Sequence, residues 1–202
     1  MRSRPGLLRW ERELPMSQCR CRRSKCATPA STRLRRHLLQ RLHLLQPGKA
    51  LSGFPLPRPM RRALELAAEA AAAGEVPVGA AVSLNGRIVA EARNQMRGSN
   101  DPTAHAEMVA IRGAAKALGT SRLDGCALWV TLEPCAMCAA AIGLARIGTL
   151  TFAAEDPKGG AVVHGPRIFS QPTCHHRPEL FSGIGEAEAA AQLKAFFAVR
   201  RE

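Results

Sequence analysis

Residues 126–154, CALWVTLEPCAMCAAAIGLARIGTLTFAA, contain two strand-like segments separated by an Ala-rich segment. The first segment, CALWVTLE, is short and apolar, which favours a buried strand. CAMCAAAIGLARIG has the composition of a helix, and TLTFAA has that of a second strand. A strand, a helix and a strand in succession indicate an α/β domain in which helices cover a mixed sheet.

The alternation of helix-like and strand-like segments continues on both sides of this stretch. PVGAAVSL and NGRIVAEARN indicate two strands joined by a tight turn at Asn85-Gly86, because Asn-Gly is a preferred pair for a two-residue hairpin turn. Three more helices are predicted, in MRRALELAAEAAAAGE from Met60, HAEMVAIRGAAKALG from His105 and the amphipathic GEAEAAAQLKAFFAVRRE from Gly185. We therefore expect one domain over residues 59–202.

A pair of cysteines stands at the start of the helix that follows the first quoted strand. Cys135 and Cys138 come directly after Glu133 and Pro134. Two thiols at this spacing can hold one metal ion or form a redox disulfide. A strand followed by CxxC and a helix also fits thioredoxin-like proteins, so this motif alone leaves both interpretations open.

A second motif, DPTAHAEMVAIR from Asp101, places a histidine and a carboxylate at the start of another predicted helix. His105 lies 30 residues upstream of Cys135 and, with the two cysteines, would make three zinc ligands. Catalytic zinc sites keep the fourth tetrahedral position open for water, whereas structural sites usually close it with a fourth residue. Cys126 and Cys174 could supply that fourth ligand, but their spacing favours neither.

The spacing of His105 and Glu107 is unusual for two residues of one site, since such residues sit about 200° apart around a regular helix. In the first helical turn, however, both side chains can converge on a point beyond the helix end. Two helix N-termini would then face one metal ion, and Glu107 would remain as a base beside the bound water. A lone His-Ala-Glu is more often an ordinary helix start, so the conjunction with the two cysteines supports the catalytic interpretation.

The combination of PTAHAE with TLEPCAMC resembles the H-x-E and P-C-x-x-C signature of the cytidine deaminase superfamily. Within that superfamily the chain is most similar to the bacterial tRNA-specific adenosine deaminases, from about Met60 to Arg201. The further shared segments are EVPVGA (75–80), Asn94, DPKGGA (156–161), HHRPE (175–179) and FFAVRR (196–201). The segment PRIFSQPTCH, between Gly165 and His176, departs from the family pattern and leaves the loop contacts open.

This resemblance implies a three-layer α/β/α, cytidine-deaminase-like fold with a central mixed five-stranded sheet. It also implies a homodimer with one Zn²⁺ per subunit, held by His105, Cys135 and Cys138. The implied reaction is hydrolytic deamination of the wobble adenosine to inosine in the anticodon of a tRNA, which we expect to be an arginine tRNA. The catalytic Glu107 would take a proton from the attacking water and return protons to N1 and to the departing ammonia.

The resemblance and the distribution of charge also indicate residues that would contact RNA. Asn94 is similar to the family residue that contacts the flipped nucleotide, and Asp156 and Lys158 are further candidates for substrate binding. Candidates for RNA backbone contacts are Arg93, Arg97, Arg200 and Arg201, each of which could equally be a solvated surface charge. On the last helix we expect Phe197 to pack in the core or a dimer interface and Phe196 to lie nearer the RNA.

Residues 1–58 differ from the rest of the chain in composition and charge. Residues 1–59 hold 14 of the 29 Lys and Arg residues and two of the 16 acidic residues, so this segment carries +12 of the formal charge of +13. We expect a basic extension with little stable structure. It could be a targeting peptide, an RNA-binding arm, a metal knuckle of Cys19, Cys21 and Cys26, or sequence upstream of a true start at Met60. The predominance of Arg over Lys, 24 to 5, is typical of a GC-rich genome and favours the misassigned start.

Three alternatives to a tRNA deaminase remain open at the level of sequence. A guanine deaminase acting on the free base would use the same zinc ligands and a similar CxxC stretch. A non-catalytic subunit or RNA-binding scaffold could share the fold, but the presence of Glu107 argues against that role. A cytidine deaminase is the third alternative.

The apolar segments and the spacing of the cysteines indicate where in the cell the protein is located. The most apolar window, residues 126–145, is interrupted by Glu133 and Pro134, so no membrane span is predicted. No cleavable secretory pattern is evident, and the paired spacing of cysteines favours metal chemistry over disulfides. We therefore expect a cytoplasmic protein.

Overall fold

The computed structural model describes residues 55–200. Almost all of the basic extension predicted for residues 1–58 lies outside this range, as do Cys19, Cys21, Cys26 and Arg201. The interpretations attached to those residues stay predictions. Met60, the predicted alternative start, lies within the first helix, where its side chain is fully buried.

The described residues form five α-helices and five β-strands. The helices are α1 (Arg58–Ala72), α2 (Met96–Ser99), α3 (Ala106–Leu118), α4 (Ala136–Ala145) and α5 (Glu186–Ala198). The strands are β1 (Gly79–Leu84), β2 (Arg87–Arg93), β3 (Ala127–Leu132), β4 (Thr149–Ala154) and β5 (Glu179–Ser182). A single turn of 3-10 helix spans Ile168–Ser170.

The five strands make one mixed sheet in the order β2-β1-β3-β4-β5. β1 pairs antiparallel with both β2 and β3, whereas β3, β4 and β5 run parallel. The β1–β2 hairpin closes at Asn85 and Gly86, whose φ angles of 50° and 78° suit the turn that the Asn-Gly pair predicted. Helix α4 connects β3 to the parallel β4, as a crossover between parallel strands requires. The predicted mixed five-stranded sheet is confirmed.

Alternate residues of the central strands face two helical layers. Leu128 and Val130 of β3 belong to a core that includes buried side chains of α3 and α4, among them Ile111 and Ile142. Trp129, between them in sequence, packs against the smaller core that α1 and α5 cover on the other face. The structure therefore has the helix, sheet and helix layers that the family resemblance implied.

The pairing register brings several strand ends to one edge of the sheet. Gly79 at the start of β1 is opposite Arg93 at the end of β2, and Ala80 is opposite Val130 near the end of β3. The segments that follow β2, β3 and β4 therefore emerge at the same edge. Ligands in open α/β sheets bind beyond the carboxyl ends of strands, which makes this edge the place to look for a site.

Two features of the fold differ from the sequence predictions or were absent from them. β5 and α2 were not located, and all four residues of β5 are exposed. Phe196, predicted to lie nearer the RNA, is buried at 9% exposure, while Phe197 is 42% exposed and does not fill the monomer core. The core position considered for Phe197 is occupied by Phe196, because the inner face of α5 turns Phe196 inward. A dimer contact of Phe197 and a place for Phe196 near RNA stay predictions. No helix within residues 55–200 is long and apolar enough to span a bilayer.

Candidate metal and catalytic centre

A histidine and two cysteines meet at the sheet edge where two helices begin. His105 is the N-cap residue of α3, Cys135 is the N-cap residue of α4, and Cys138 lies in the first turn of α4. Their ligand atoms all lie within 4.8 Å of one another. Nδ1 of His105 is 3.7 Å from Sγ of Cys135 and 3.6 Å from Sγ of Cys138.

The local sequence explains why these side chains converge. β3 ends at Leu132, and Glu133 and Pro134 carry the chain to Cys135, whose φ and ψ of −70° and 174° are extended. His105 has a similar extended conformation, with φ and ψ of −65° and 150°. Each N-cap side chain therefore projects beyond the end of its helix. The partial positive charge of both helix N-termini faces the cluster and stabilises negative charge there.

The spacing of the donor atoms fits a tetrahedral zinc ion. With Zn–S near 2.3 Å and Zn–N near 2.0–2.1 Å, a tetrahedral angle predicts an N to S separation of about 3.6 Å. The observed separations are 3.6 and 3.7 Å. One imidazole nitrogen and two sulfurs also form a soft donor set that suits zinc, and within residues 55–200 the cluster contains three such ligands. The residues present therefore fit a metal ion that keeps a fourth position open.

Hydrogen bonding shifts the pKa values of the two thiols in opposite directions. The hydrogen bond from Cys138, reinforced by the His105 ring, lowers the pKa of Cys135 to about 4. The pKa of Cys138 is raised, because it donates that hydrogen bond and is buried. The hydrogen bond to Cys135 raises the pKa of His105. Cys135 is therefore a ready thiolate, which is the form of cysteine that binds metals.

Glu107 places a buried carboxyl group beside this cluster. The residue is 4% exposed and lies in the first turn of α3. Burial raises its pKa, which the charge of His105 partly opposes, and the carboxyl also interacts with the side chain of Cys138. The raised pKa favours the protonated carboxyl, and a carboxyl group that can both accept and donate a proton is what general acid–base catalysis requires.

Asn94 lies at the same sheet edge, directly after β2. It is 4% exposed, and its Nδ2 donates to Oε2 of Glu75 at 3.2 Å. The next residue, Gln95, donates its backbone N–H to the carbonyl of Ala104 at 3.1 Å, which ties this segment to the residue preceding His105. Sequence reasoning missed Glu75, although it stands first in the EVPVGA segment on which the family resemblance partly rests.

The loop after β4 carries Asp156 and Lys158. Oδ1 of Asp156 accepts the backbone N–H groups of Lys158 and Gly159, both at 3.0 Å. The Lys158 side chain is exposed, and Asp156 is half-buried. The structure thus presents both residues on a loop whose shape Asp156 itself stabilises.

Glu133 holds that loop against the sheet. Its side chain accepts the backbone N–H of Asp156 at 3.1 Å and a hydrogen bond from the His164 ring at 2.7 Å. Its other oxygen accepts three consecutive backbone N–H groups, those of Val162, Val163 and His164. Burial alone would raise the pKa of Glu133, but these hydrogen bonds lower it to about 2. Sequence reasoning treated Glu133 only as a neighbour of the CxxC motif.

The predicted RNA-contacting arginines are dispersed. Arg93 is half-buried at the end of β2 and donates to the carbonyl of Asn94 at 3.3 Å. Arg97 is exposed in α2, next to the same segment. Arg200 instead stacks on α5, with its guanidinium carbon 3.6 Å from the centroid of the Phe196 ring. Arg93 and Arg97 therefore flank Asn94, while Arg200 lies against Phe196 on α5.

The two cysteines considered as a fourth ligand are not part of the cluster. Cys126 is buried directly before β3, at the opposite end of that strand from Cys135. Sγ of Cys174 donates to the carbonyl oxygen of His176 at 3.1 Å. Both placements leave the three-ligand arrangement intact among the described residues.

Comparison with known proteins identifies the family to which the chain is similar. A family model described as MafB19-like deaminase matches residues 57–183. The tRNA-specific adenosine deaminase of Agrobacterium fabrum is 54% identical over 142 residues, which cover 70% of this chain and 93% of that protein. A solved structure from a study of A-to-I editing by tRNA:A34 deaminases at the wobble position is 55% identical with a TM-score of 0.66, covering 67% of this chain and 98% of its own. A guanine deaminase structure from Nitrosomonas europaea is 26% identical with a TM-score of 0.56, covering 69% and 83% of the two chains.

Proposed function

This chain belongs to the tRNA-specific adenosine deaminases of the cytidine deaminase superfamily, and from that membership we propose that it converts the wobble adenosine of an arginine tRNA to inosine. The reaction is hydrolytic, so water supplies the oxygen that replaces the amino group at C6 and ammonia leaves. The observation that carries the proposal is the buried carboxyl of Glu107 beside the cluster of His105, Cys135 and Cys138.

We assign one Zn²⁺ per subunit to His105, Cys135 and Cys138. The match between the N to S separations and zinc geometry supports this assignment, as does the soft donor set. When bound, zinc supplies a positive charge that lowers the pKa of a coordinated water towards about 7. The negative charge of the Cys135 thiolate would offset part of the positive charge of the zinc. The partial positive charge of the two helix N-termini stabilises that thiolate.

Glu107 is proposed to move every proton of the reaction. Its carboxylate accepts a proton from the attacking water and delivers it to N1 of the adenine ring. It then takes the second proton of that water from the hydroxyl group now on C6 and delivers it to the departing amino group, which leaves as ammonia. Burial supports this role because it raises the pKa of Glu107 and so lowers the cost of holding the proton between the two transfers. One carboxyl group thereby serves as base and then as acid.

The target base has to leave the anticodon stack to reach this buried carboxyl. We propose that Asn94, Asp156 and Lys158 bind the extruded nucleotide. The position of Asn94 at the sheet edge, and of the other two on the loop held by Glu133, supports these contacts. Arg93, Arg97, Arg200 and Arg201 are proposed to contact RNA phosphates, which would position the anticodon without reading its sequence.

A homodimer is proposed from exposed apolar side chains. Leu144 on α4 is 84% exposed, and Phe181 on β5 is 45% exposed. Large apolar side chains exposed in a monomer commonly mark an interface. A cytoplasmic location is proposed as well, because the four cysteines of the described residues are free thiols, as metal-binding cysteines must be.

A free-base guanine deaminase is the competing function, since a deaminase of that class has the same overall fold. Ammonia release from the purified protein would be measured with a wobble-adenosine anticodon stem-loop, with guanine and with cytidine, each beside the Glu107→Gln variant. The proposal predicts release from the stem-loop alone, and only with Glu107 present. Release from guanine but not from the RNA would assign the protein to the competing function.

A further inference from the structure

Glu75 is a buried acid that the proposed mechanism does not use. It is 3% exposed, and its two oxygens have different partners. Oε2 accepts from Nδ2 of Asn94 at 3.2 Å, while Oε1 accepts the backbone N–H groups of Arg97 and Gly98, both at 2.8 Å. We propose that Glu75 is a positioning residue, which fixes the side-chain amide of Asn94 so that its oxygen accepts a hydrogen bond from the bound nucleoside. This inference rests on the proposed role of Asn94 in substrate binding.

Two backbone hydrogen bonds fix the segment that carries Asn94, and one of them joins it to the residue before His105. Its backbone N–H donates to the carbonyl of Val78 at 2.9 Å, immediately before β1. Gln95 donates to Ala104, the residue before His105. These two hydrogen bonds hold the segment of Asn94 and Gln95 between the start of β1 and the start of α3.

The chemistry of Glu75 determines which way the Asn94 amide points. A carboxylate only accepts hydrogen bonds, whereas an asparagine side chain donates through nitrogen and accepts through oxygen. Asn94 must therefore turn its nitrogen towards Glu75 and its oxygen away from it. None of the residues from 55 to 200 donates to that oxygen, so it is available to a hydroxyl or N–H group of the nucleoside.

The second oxygen of Glu75 links this orientation to the segment that carries Arg97. The hydrogen bonds to the N–H groups of Arg97 and Gly98 fix α2 relative to the carboxyl. One buried carboxylate thus sets the polarity of Asn94 and the place of a neighbouring arginine. Loss of the whole side chain would disturb both, so a sharper substitution is needed to isolate the first effect.

Glu75→Gln isolates the polarity of Asn94. The oxygen of the introduced amide can still accept from Arg97 and Gly98, but its nitrogen then faces Asn94 and forces that side chain to turn its own oxygen towards the introduced amide. The Asn94 nitrogen would turn towards the nucleoside. We expect kcat/KM for a wobble-adenosine stem-loop to fall about tenfold or more, with zinc content and Tm close to those of the unmodified full chain. Glu188→Gln, which removes an exposed acid from α5, is the matched control and should leave kcat/KM unchanged.

A paired substitution provides the decisive comparison. Asn94→Asp alone sets two carboxylates against each other and should be poorly active. In the double variant E75Q/N94D, the amide nitrogen at position 75 donates to one oxygen of the carboxylate at position 94. The other carboxylate oxygen then remains to accept a hydrogen bond from the nucleoside. The kcat/KM of the double variant should therefore exceed that of either single variant. If the two single losses in kcat/KM simply multiply in the double variant, the inference is overturned, because a merely structural role predicts that the corresponding free energies add.

Asn94→Ala separates failure of this inference from failure of the function itself. If N94A is impaired while E75Q has unchanged kcat/KM, Asn94 binds substrate and the positioning role of Glu75 is wrong. If N94A itself has unchanged kcat/KM, the substrate role of Asn94 fails and the inference fails with it. Absence of deamination by the unmodified protein would instead contradict the proposed function.

Discussion

His105 and Cys135 are the N-cap residues of two different helices, and Nδ1 of the histidine lies 3.7 Å from Sγ of the cysteine. Because each side chain projects beyond a helix end, removal of one should open the cluster without altering either helix. Cys135→Ala and Cys138→Ala should each lose zinc, measured by elemental analysis of the purified protein. Cys174→Ala removes a half-buried thiol outside the cluster and should retain one zinc per subunit. Full zinc content in both cluster variants would show that the ligands are assigned wrongly.

Replacement of Glu107 by Gln should separate catalysis from binding. The amide keeps the shape of the buried side chain but cannot shuttle protons, so turnover should fall by about 10²–10⁴-fold. Zinc content and affinity for the anticodon stem-loop should change little. Single-turnover deamination and RNA binding would be measured in parallel, with Glu69→Gln on the exposed face of α1 as the control. An active E107Q protein would rule out the proton-shuttle role.

Gly160 is predicted to tolerate no side chain. A Cβ atom there would overlap the carboxyl group of Glu133 and the carbonyl oxygen of Asp156. Gly160→Ala should therefore displace the loop that carries Lys158, destabilise the protein by about 1–3 kcal/mol and lower activity. Gly143→Ala on α4 is a suitable control, because its Cβ would meet its nearest neighbour at an ordinary 3.6 Å. Thermal unfolding of both variants checks the prediction, which fails if G160A unfolds at the temperature of the unmodified protein.

Removal of residues 1–54 should leave deamination of the stem-loop unchanged if the basic segment has no part in RNA binding. The cut preserves α1, which begins at Arg58, whereas a start at Met60 would remove its first two residues. Affinity for RNA would be measured over a range of salt concentrations, because phosphate contacts steepen the dependence of affinity on salt. A large loss of affinity together with a shallower salt dependence would assign an RNA-binding role to the segment.

The sequence predicted the elements whose signals are local. The Asn85-Gly86 turn and the strand, helix and strand of residues 126–154 all occur where the pattern placed them. β5 was missed because its four residues are all exposed and show no alternation, so pairing with β4 defines the strand. Phe196 and Phe197 are adjacent, and only the packing of α5 decides which of them is buried.

The site was predictable where spacing carries a chemical constraint. A histidine and a CxxC pair at two helix starts have few common uses other than metal binding, and the structure brings these ligand atoms within 4.8 Å of one another. Glu75 and Glu133 gave no comparable signal. Each acts through backbone N–H groups about 22 to 31 residues away in sequence, and a carboxylate that accepts such bonds looks like any other acid before the chain folds.

The central claim is best tested by mapping inosine in an arginine tRNA transcript that carries a wobble adenosine, after incubation with the zinc-loaded full-length protein. The account predicts inosine at the wobble position and at no other adenosine of the tRNA, and none with the E107Q variant. An unmodified transcript, despite a full complement of zinc, would contradict the account.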